Sequence, residues 1–142
     1  MKRETKCEKA HLTSVVSKYT KEIEGIIEKG CNIDLDDIAV ELKNIHPYLS
    51  TILSKWTPEI IYALYIKEKM SFNNFKRIFN ISSRVLSDKL KNLEENGIIE
   101  RLVTNDNPPR VYYKLTEFGK ELALSLVPVL IVIKNKSDSY ED

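Results

Sequence analysis

The chain has 142 residues, 42% of them apolar and 30% charged, and a formal net charge of +1. That balance suits one globular domain with an appended helix, and it excludes a disordered chain or a bulk polycation that coats nucleic acid. Cys7 and Cys31 make neither a disulfide framework nor a zinc pattern. The charged start MKRETKCEKAH lacks the apolar run of a signal peptide, and the longest apolar stretch, Leu122 to Ile133, is shorter than the roughly 20 residues a bilayer requires. A cytoplasmic protein with no membrane partner is expected.

Taken in chain order, Lys6 to Lys29 predicts an amphipathic helix with Leu12, Val15, Val16, Tyr19, Ile23, Ile26 and Ile27 on one stripe and Gly30 as its stop. Asp34, Asp36 and Asp37 open a second helix that should end near Ile45, because His46-Pro47 breaks it; Tyr48 to Lys55 then forms a separate short helix. Clustered carboxylates in a first turn serve as caps and dipole partners rather than as a cation site. Thr57 is expected to cap the next helix, with Pro58 at its first position and Ile60, Ile61 and Leu64 buried. A brief helix from Phe72 to Phe79 and a turn at Asn80-Ile81 follow.

The most informative stretch begins there. Ser82 or Ser83 caps a helix running from Ser83 to Asn96, whose apolar face is Val85, Leu86, Leu90 and Leu93. Gly97 stops it, since glycine enters the left-handed cap conformation without steric cost. Ile98 to Val103 and Val111 to Leu115 have strand composition around a turn from Asn105 to Pro109. Thr116 caps a last helix from Glu117 to about Lys134, and Asn135 to Asp142 is a polar tail. The expected fold is mainly α with a small β-hairpin wing, a winged helix-turn-helix that dimerises through its N- and C-terminal helices. Its divisions are residues 1–31 as a helical extension, 32–134 as the winged domain ending in the dimerisation helix, and 135–142 as the tail.

Charge is distributed toward the same stretch. From Ser71 to Lys114 eight basic residues face five acids, a local +3 that leaves −2 for the remainder, so the positive field lies where such a fold meets DNA. A helix in the major groove reads bases with its exposed side chains, here Ser83, Arg84 and Ser87, with Lys91 reading or gripping. Lys76, Lys89 and Lys91 suit phosphates, which position a protein without conveying sequence. Asp88 is placed to hold Arg84 or Lys91 by a local ion pair, and Arg110 at the wing suits the narrow minor groove.

Several of these residues also carry a family likeness. Lys55-Trp56-Thr57-Pro58-Glu59-Ile60, Ile81-Ser82-Ser83-Arg84-Val85-Leu86-Ser87, the run from Leu90 to Arg101, and Pro108 through Gly119 (PPRVYYKLTEFG) stand in the order seen in the HxlR-type regulators, relatives of the MarR group. The stretch from about Leu42 to Ile133 resembles that family. The resemblance implies a dimeric bacterial- or archaeal-type transcription regulator, whose helix before the wing enters the major groove and whose terminal helices dimerise. Family members that sense electrophiles or oxidants carry a cysteine just before the tryptophan motif; Ile33 to Lys55 contains none, so the likeness does not extend to thiol sensing. It does not account for the helix from Lys6 to Lys29 either.

The last helix sets the expected oligomeric state. Leu122, Leu124, Leu126, Val127 and the run Val129 to Ile133 surround its axis, and a helix apolar all round must be covered all round. A two-fold dimer with Leu12, Val16, Ile23, Leu126, Leu130 and Ile133 at its interface follows, with a kink at Pro128. No catalytic residue, cofactor or metal is expected: His11 and His46 have no ligand-spaced companions, and there is no phosphate loop or nucleophile–base arrangement. The expectation is a homodimeric, sequence-specific transcription regulator, a repressor in preference to an activator, on an inverted-repeat operator; Trp56 as lining for a small-molecule effector is the weaker alternative to a core aromatic. Two rival functions fit the same residues: a protein-interaction winged helix that binds no DNA, and an architectural nucleoid protein with little base preference.

Overall fold

In the computed structural model, which describes residues 6–30 and 34–139, the order is α1 (Lys6–Gly30), α2 (Leu35–Ile52), α3 (Thr57–Lys67), β1 (Met70–Ser71), α4 (Phe72–Phe79), α5 (Ser83–Glu95), β2 (Ile99–Val103), β3 (Val111–Leu115) and α6 (Glu117–Asp138). The chain divides into two units. Lys43–Leu126 is one; the residues up to Leu42, with those from Val127 onward, are the other.

The Lys43–Leu126 unit holds the winged helix. Its strands form an antiparallel sheet in the order β1-β3-β2, with Met70 opposite Tyr113, Ile99 opposite Leu115 and Val103 opposite Val111. Ile60, Ile61 and Leu64 of α3, Phe75 of α4, Leu86, Leu90 and Leu93 of α5, Ile98, Ile99, Leu115 and Ala123 of α6 make one buried cluster. Each fully buried aliphatic side chain of this kind stabilises the fold by about 1.5–3 kcal/mol. Around Phe75, Trp56 packs tilted on Phe79, Phe79 stacks on Phe75 and Tyr113 meets Phe75 edge-on, with ring centroids 6.0–6.4 Å apart, so Trp56 is a half-buried core aromatic.

Local signals account for most boundaries. Ser82 caps α5 by accepting a hydrogen bond from Val85 N–H at 3.2 Å. Gly97, at φ +69°, ends it in a Schellman arrangement: Gly97 N–H donates to Glu94 C=O and Ile98 N–H to Leu93 C=O, both at 3.0 Å. Ser71 and Asn74 form a reciprocal capping box on α4. Asp34 caps α2 through Asp37 N–H at 2.9 Å. Thr116 caps α6 by accepting from Gly119 N–H at 3.0 Å.

Five expectations need correction. α2 does not break at His46-Pro47 but continues to Ile52 with Pro47 inside it. Proline removes one N–H donor and costs about 3 kcal/mol within a helix, yet the turns beyond it stay bonded: Thr51 Oγ1 donates to Pro47 C=O and Leu53 N–H to Leu49 C=O. Thr57 does not cap α3. The cap position is Trp56, at φ 72° with no side-chain bond, while the Thr57 hydroxyl is buried against Ser54 Oγ at 2.8 Å. Val85 is 41% exposed rather than part of the buried face, because it precedes Leu86 and so points about 100° away from it. Met70–Ser71 adds a third strand to the expected hairpin. Asn135 to Asp138, assigned to the tail, extend α6 instead; residues 140–142 lie outside the described residues.

In the other unit, α1 buries Val16 and half-buries Leu12, but Val15, Tyr19, Ile23, Ile26 and Ile27 are exposed, as are Leu35, Ile38, Val40 and Leu42 of α2 and Val129, Val132 and Ile133 of α6.

Candidate nucleic-acid interface

α4, the Asn80–Ser82 turn and α5 are arranged as a helix-turn-helix. Asn80 takes the left-handed conformation at φ 48° and donates its N–H to Lys76 C=O, which ends α4 sharply. Ile81 is buried and anchors the turn. α5 then lies with Leu86, Leu90 and Leu93 inward, so the helical period puts Arg84, Ser87, Asp88 and Lys91 on the opposite, exposed face. The side chains of Arg84, Ser87 and Lys91 make no hydrogen bond or ion pair to other described residues.

Ser83 and Lys76 come together at the start of this face, where Lys76 Nζ donates to Ser83 Oγ at 2.6 Å. Asp88 pairs with neither Arg84 nor Lys91; the ion pairs found among the described residues include Lys114–Glu100 at 2.8 Å and Lys120–Glu117 at 3.1 Å. Lys89 stands apart from the other basic residues of α5. It is half-buried, and its ammonium donates to Ser54 Oγ at 2.8 Å.

The wing follows α5 with only Asn96, Gly97 and Ile98 between helix and strand. β2 and β3 pair along their whole length. The loop beyond them is closed by two bonds, Thr104 N–H to Arg110 C=O at 2.8 Å and Arg110 N–H to Thr104 Oγ1 at 2.9 Å. The Arg110 side chain is exposed at the wing's rim. The stem is fastened to α6 by Thr116, whose hydroxyl donates to Gly97 C=O at 2.6 Å and lies 3.1 Å from Ile98 C=O. Gly119 is required there, since a β-carbon on it would collide with the Ile98 carbonyl oxygen. Sequence patterns alone missed Ser54, Thr57 and Thr104 as the polar groups that fix this surface. Each is a short hydroxyl residue in or beside a turn, where residue type alone does not name the partner.

Of the residues expected at a dimer interface, Ile23 and Ile133 are exposed and Leu12 and Leu130 half-buried. Val16 is 7% exposed in the single chain, and Leu126 packs against the winged-helix core. Cys31 and the side chain of Cys7 lie outside the described residues. No group of three or more His, Cys, Asp or Glu side chains among the described residues is placed to hold a metal ion, and no helix among them is long and apolar enough to cross a membrane.

Comparison with known proteins agrees with this geometry. Residues 51–141 match the model of the HxlR-like helix-turn-helix family. The HTH-type transcriptional regulator YdeP of Bacillus subtilis is 38% identical over 95 residues, covering 66% of this chain and 70% of that protein. The HTH-type regulator YybR of the same organism is 37% identical over 112 residues, 72% of this chain and 86% of the relative. Among solved structures, the oxidised form of the redox regulator HypR is 36% identical with a TM-score of 0.56, over 68% of this chain and 95% of that one. A regulator assigned to the MarR family from Enterococcus faecalis is 26% identical with a TM-score of 0.60, over 79% and 96% of the two chains. These relatives are regulators and not enzymes. With a helix-turn-helix, a clasped wing and a family match over most of its length, this chain belongs to the HxlR-like family and is a transcriptional regulator of helix-turn-helix type.

Proposed function

We propose that the protein is a homodimeric, sequence-specific repressor that binds an inverted-repeat operator in the cytoplasm. The observation that carries this reading is the outward face of α5, where Arg84, Ser87 and Lys91 stand exposed and uncommitted, together with an exposed arginine on the wing. In a major groove Arg84 spans the two acceptors of a guanine, and Ser83 and Ser87 bond base edges or phosphates. Lys91 and Lys76 take phosphates, and Arg110 enters the adjacent minor groove. Domain organisation follows the chain, with 1–31 as an extension and the residues from 32 onward as the winged domain and its dimerisation helix.

Dimerisation is supported by apolar surface that one chain leaves uncovered. On α1, Val15, Tyr19, Ile23 and Ile26 are spaced by helical turns and all exposed, a stripe of the kind that marks an interface. A second copy covers it, with Ile27 and, from α6, Val129, Val132 and Ile133 adding to the same apolar surface. The Val16 and Leu126 side chains act within the chain, and Leu12, Leu130, Ile23 and Ile133 face the partner.

Selection of bound duplexes from fragments of genomic DNA tests the proposal. A two-fold symmetric motif with half-sites about 34–36 Å apart, or a multiple of that spacing, supports it. Retention of all fragments alike favours an architectural protein, since specific sites should win by roughly 10³-fold or more. Retention of none favours a protein-interaction winged helix.

A further inference from the structure

Resting on the DNA-binding proposal above, we infer that Lys89 is a positioning residue that fixes the roll of the reading helix, rather than a phosphate contact. Lys89 lies on α5 at the flank between the buried Leu86–Leu90–Leu93 face and the exposed Arg84–Ser87–Lys91 face. Its ammonium is drawn away from that exposed face, to the turn between α2 and α3, 35 residues back along the chain, where it meets Ser54 Oγ at 2.8 Å.

The chemistry around Ser54 is complete. Its single hydroxyl proton goes to Thr51 C=O at 2.8 Å. Its lone pairs then accept from Lys89 and from the buried Thr57 hydroxyl, which is also 2.8 Å away. Thr57 is 1% exposed, so one end of this chain of bonds is set in the core and the other on α5. Lys89 forms no ion pair among the described residues. Lys76 is bonded as well, but to Ser83 at the head of the exposed face, whereas Lys89 is held on a turn away from that face.

A strut at this point has leverage on base reading. Side-chain tips sit roughly 5–6 Å from a helix axis, so a roll of about 10° moves Arg84 and Ser87 by about 1 Å. Hydrogen bonds to base edges tolerate only a few tenths of an ångström around 2.9 Å, and functional groups need support within about 10–20°. Packing of Leu86, Leu90 and Leu93 sets the helix in the core, and a directional bond from one side adds resistance to roll.

The test uses the full-length protein and two probes: the duplex it enriches from a random-sequence pool, and a scrambled duplex of the same length. Lys89→Met and Ser54→Ala should each lower the ratio of the two affinities by about tenfold, while the slope of log affinity against log salt stays unchanged. The double variant should be no worse than Ser54→Ala alone, because the Lys89 bond is already gone there. Ser54→Thr, which keeps the hydroxyl, should retain the wild-type ratio and separates lost positioning from a misfolded turn. A salt slope that falls by about one for Lys89→Met, with the ratio intact, would mark a phosphate contact and overturn the inference. So would variants that match wild type in both measures. If the wild-type protein enriches no sequence, the DNA-binding proposal itself fails and this inference falls with it.

Discussion

Thr104 and Arg110 hold each other across the mouth of the wing, each accepting the other's backbone N–H: Arg110 through its carbonyl, Thr104 through its hydroxyl, at 2.8 and 2.9 Å. The arginine is therefore presented from a closed loop, and the entropy of ordering its backbone is paid on folding, before any ligand arrives. Thr104→Val keeps the shape but leaves the Arg110 N–H without its acceptor. Affinity for the selected duplex should fall by a few-fold, consistent with a net hydrogen bond worth about 1 kcal/mol, and Thr104→Ser should restore it. A gel-shift titration checks the series, with Arg110→Ala as the lower bound.

In the proposed complex Arg84 contacts a base and Lys91 a phosphate, so Arg84→Ala and Lys91→Ala should fail differently. The arginine variant should lose about 1–3 kcal/mol at one position of each half-site and relax preference there. The lysine variant should weaken binding to all duplexes alike and reduce the salt slope by about one. Titrations at several salt concentrations against single-base operator variants distinguish the two.

Gly119→Ala brings a methyl group onto the Ile98 carbonyl oxygen and to 3.0 Å from Leu115 Cδ2. The nearest obstacle is backbone and has no rotamer to give, so α6 must shift away from the α5–β2 junction. A loss of about 1–3 kcal/mol is expected, seen as a lower Tm by roughly 4–8 °C per kcal/mol. Gly97→Ala meets no atom within 4 Å; its cost is the left-handed backbone alone, about 1–2 kcal/mol, and differential scanning calorimetry should rank it as the milder change.

Ile23→Glu places a charge in the exposed apolar stripe of α1, at a position 40% exposed in the single chain. The winged unit should keep its Tm, while analytical ultracentrifugation should show the mass of one chain, and retention of the palindromic duplex should drop by the loss of paired half-sites. A dimeric Ile23→Glu would move the interface elsewhere.

The winged region was legible in the sequence because its signals are local and mutually consistent. Ser82 and Gly97 bracket α5 with residues chosen for backbone chemistry, and Leu86, Leu90 and Leu93 repeat at helical spacing between them. Where local and tertiary preferences conflict, the sequence misled. Pro47 carries a strong breaking tendency, but it removes only one donor, and α2 keeps its bonds on either side. Thr57 has the composition of a cap, yet its hydroxyl is recruited by Ser54, leaving Trp56 to begin α3 from a left-handed backbone. β1 is only Met70–Ser71 and exists through its pairing with Tyr113 and Tyr112, a relation no window of sequence displays. For the surface, residue type and spacing put Arg84, Ser87 and Lys91 on the exposed face of α5 but gave no sign of the bond from Lys89 to Ser54.

The junction between helix and hairpin is only Asn96, Gly97 and Ile98, held by bonds back to Leu93 and Glu94, and Thr116 bolts the start of α6 to the Gly97 and Ile98 carbonyls. Helix and hairpin thus act as one stiff tool, and docking it onto a duplex melts or freezes no segment between them. The heat-capacity decrement measured calorimetrically should then match the contact area alone, with no surplus from coupled folding.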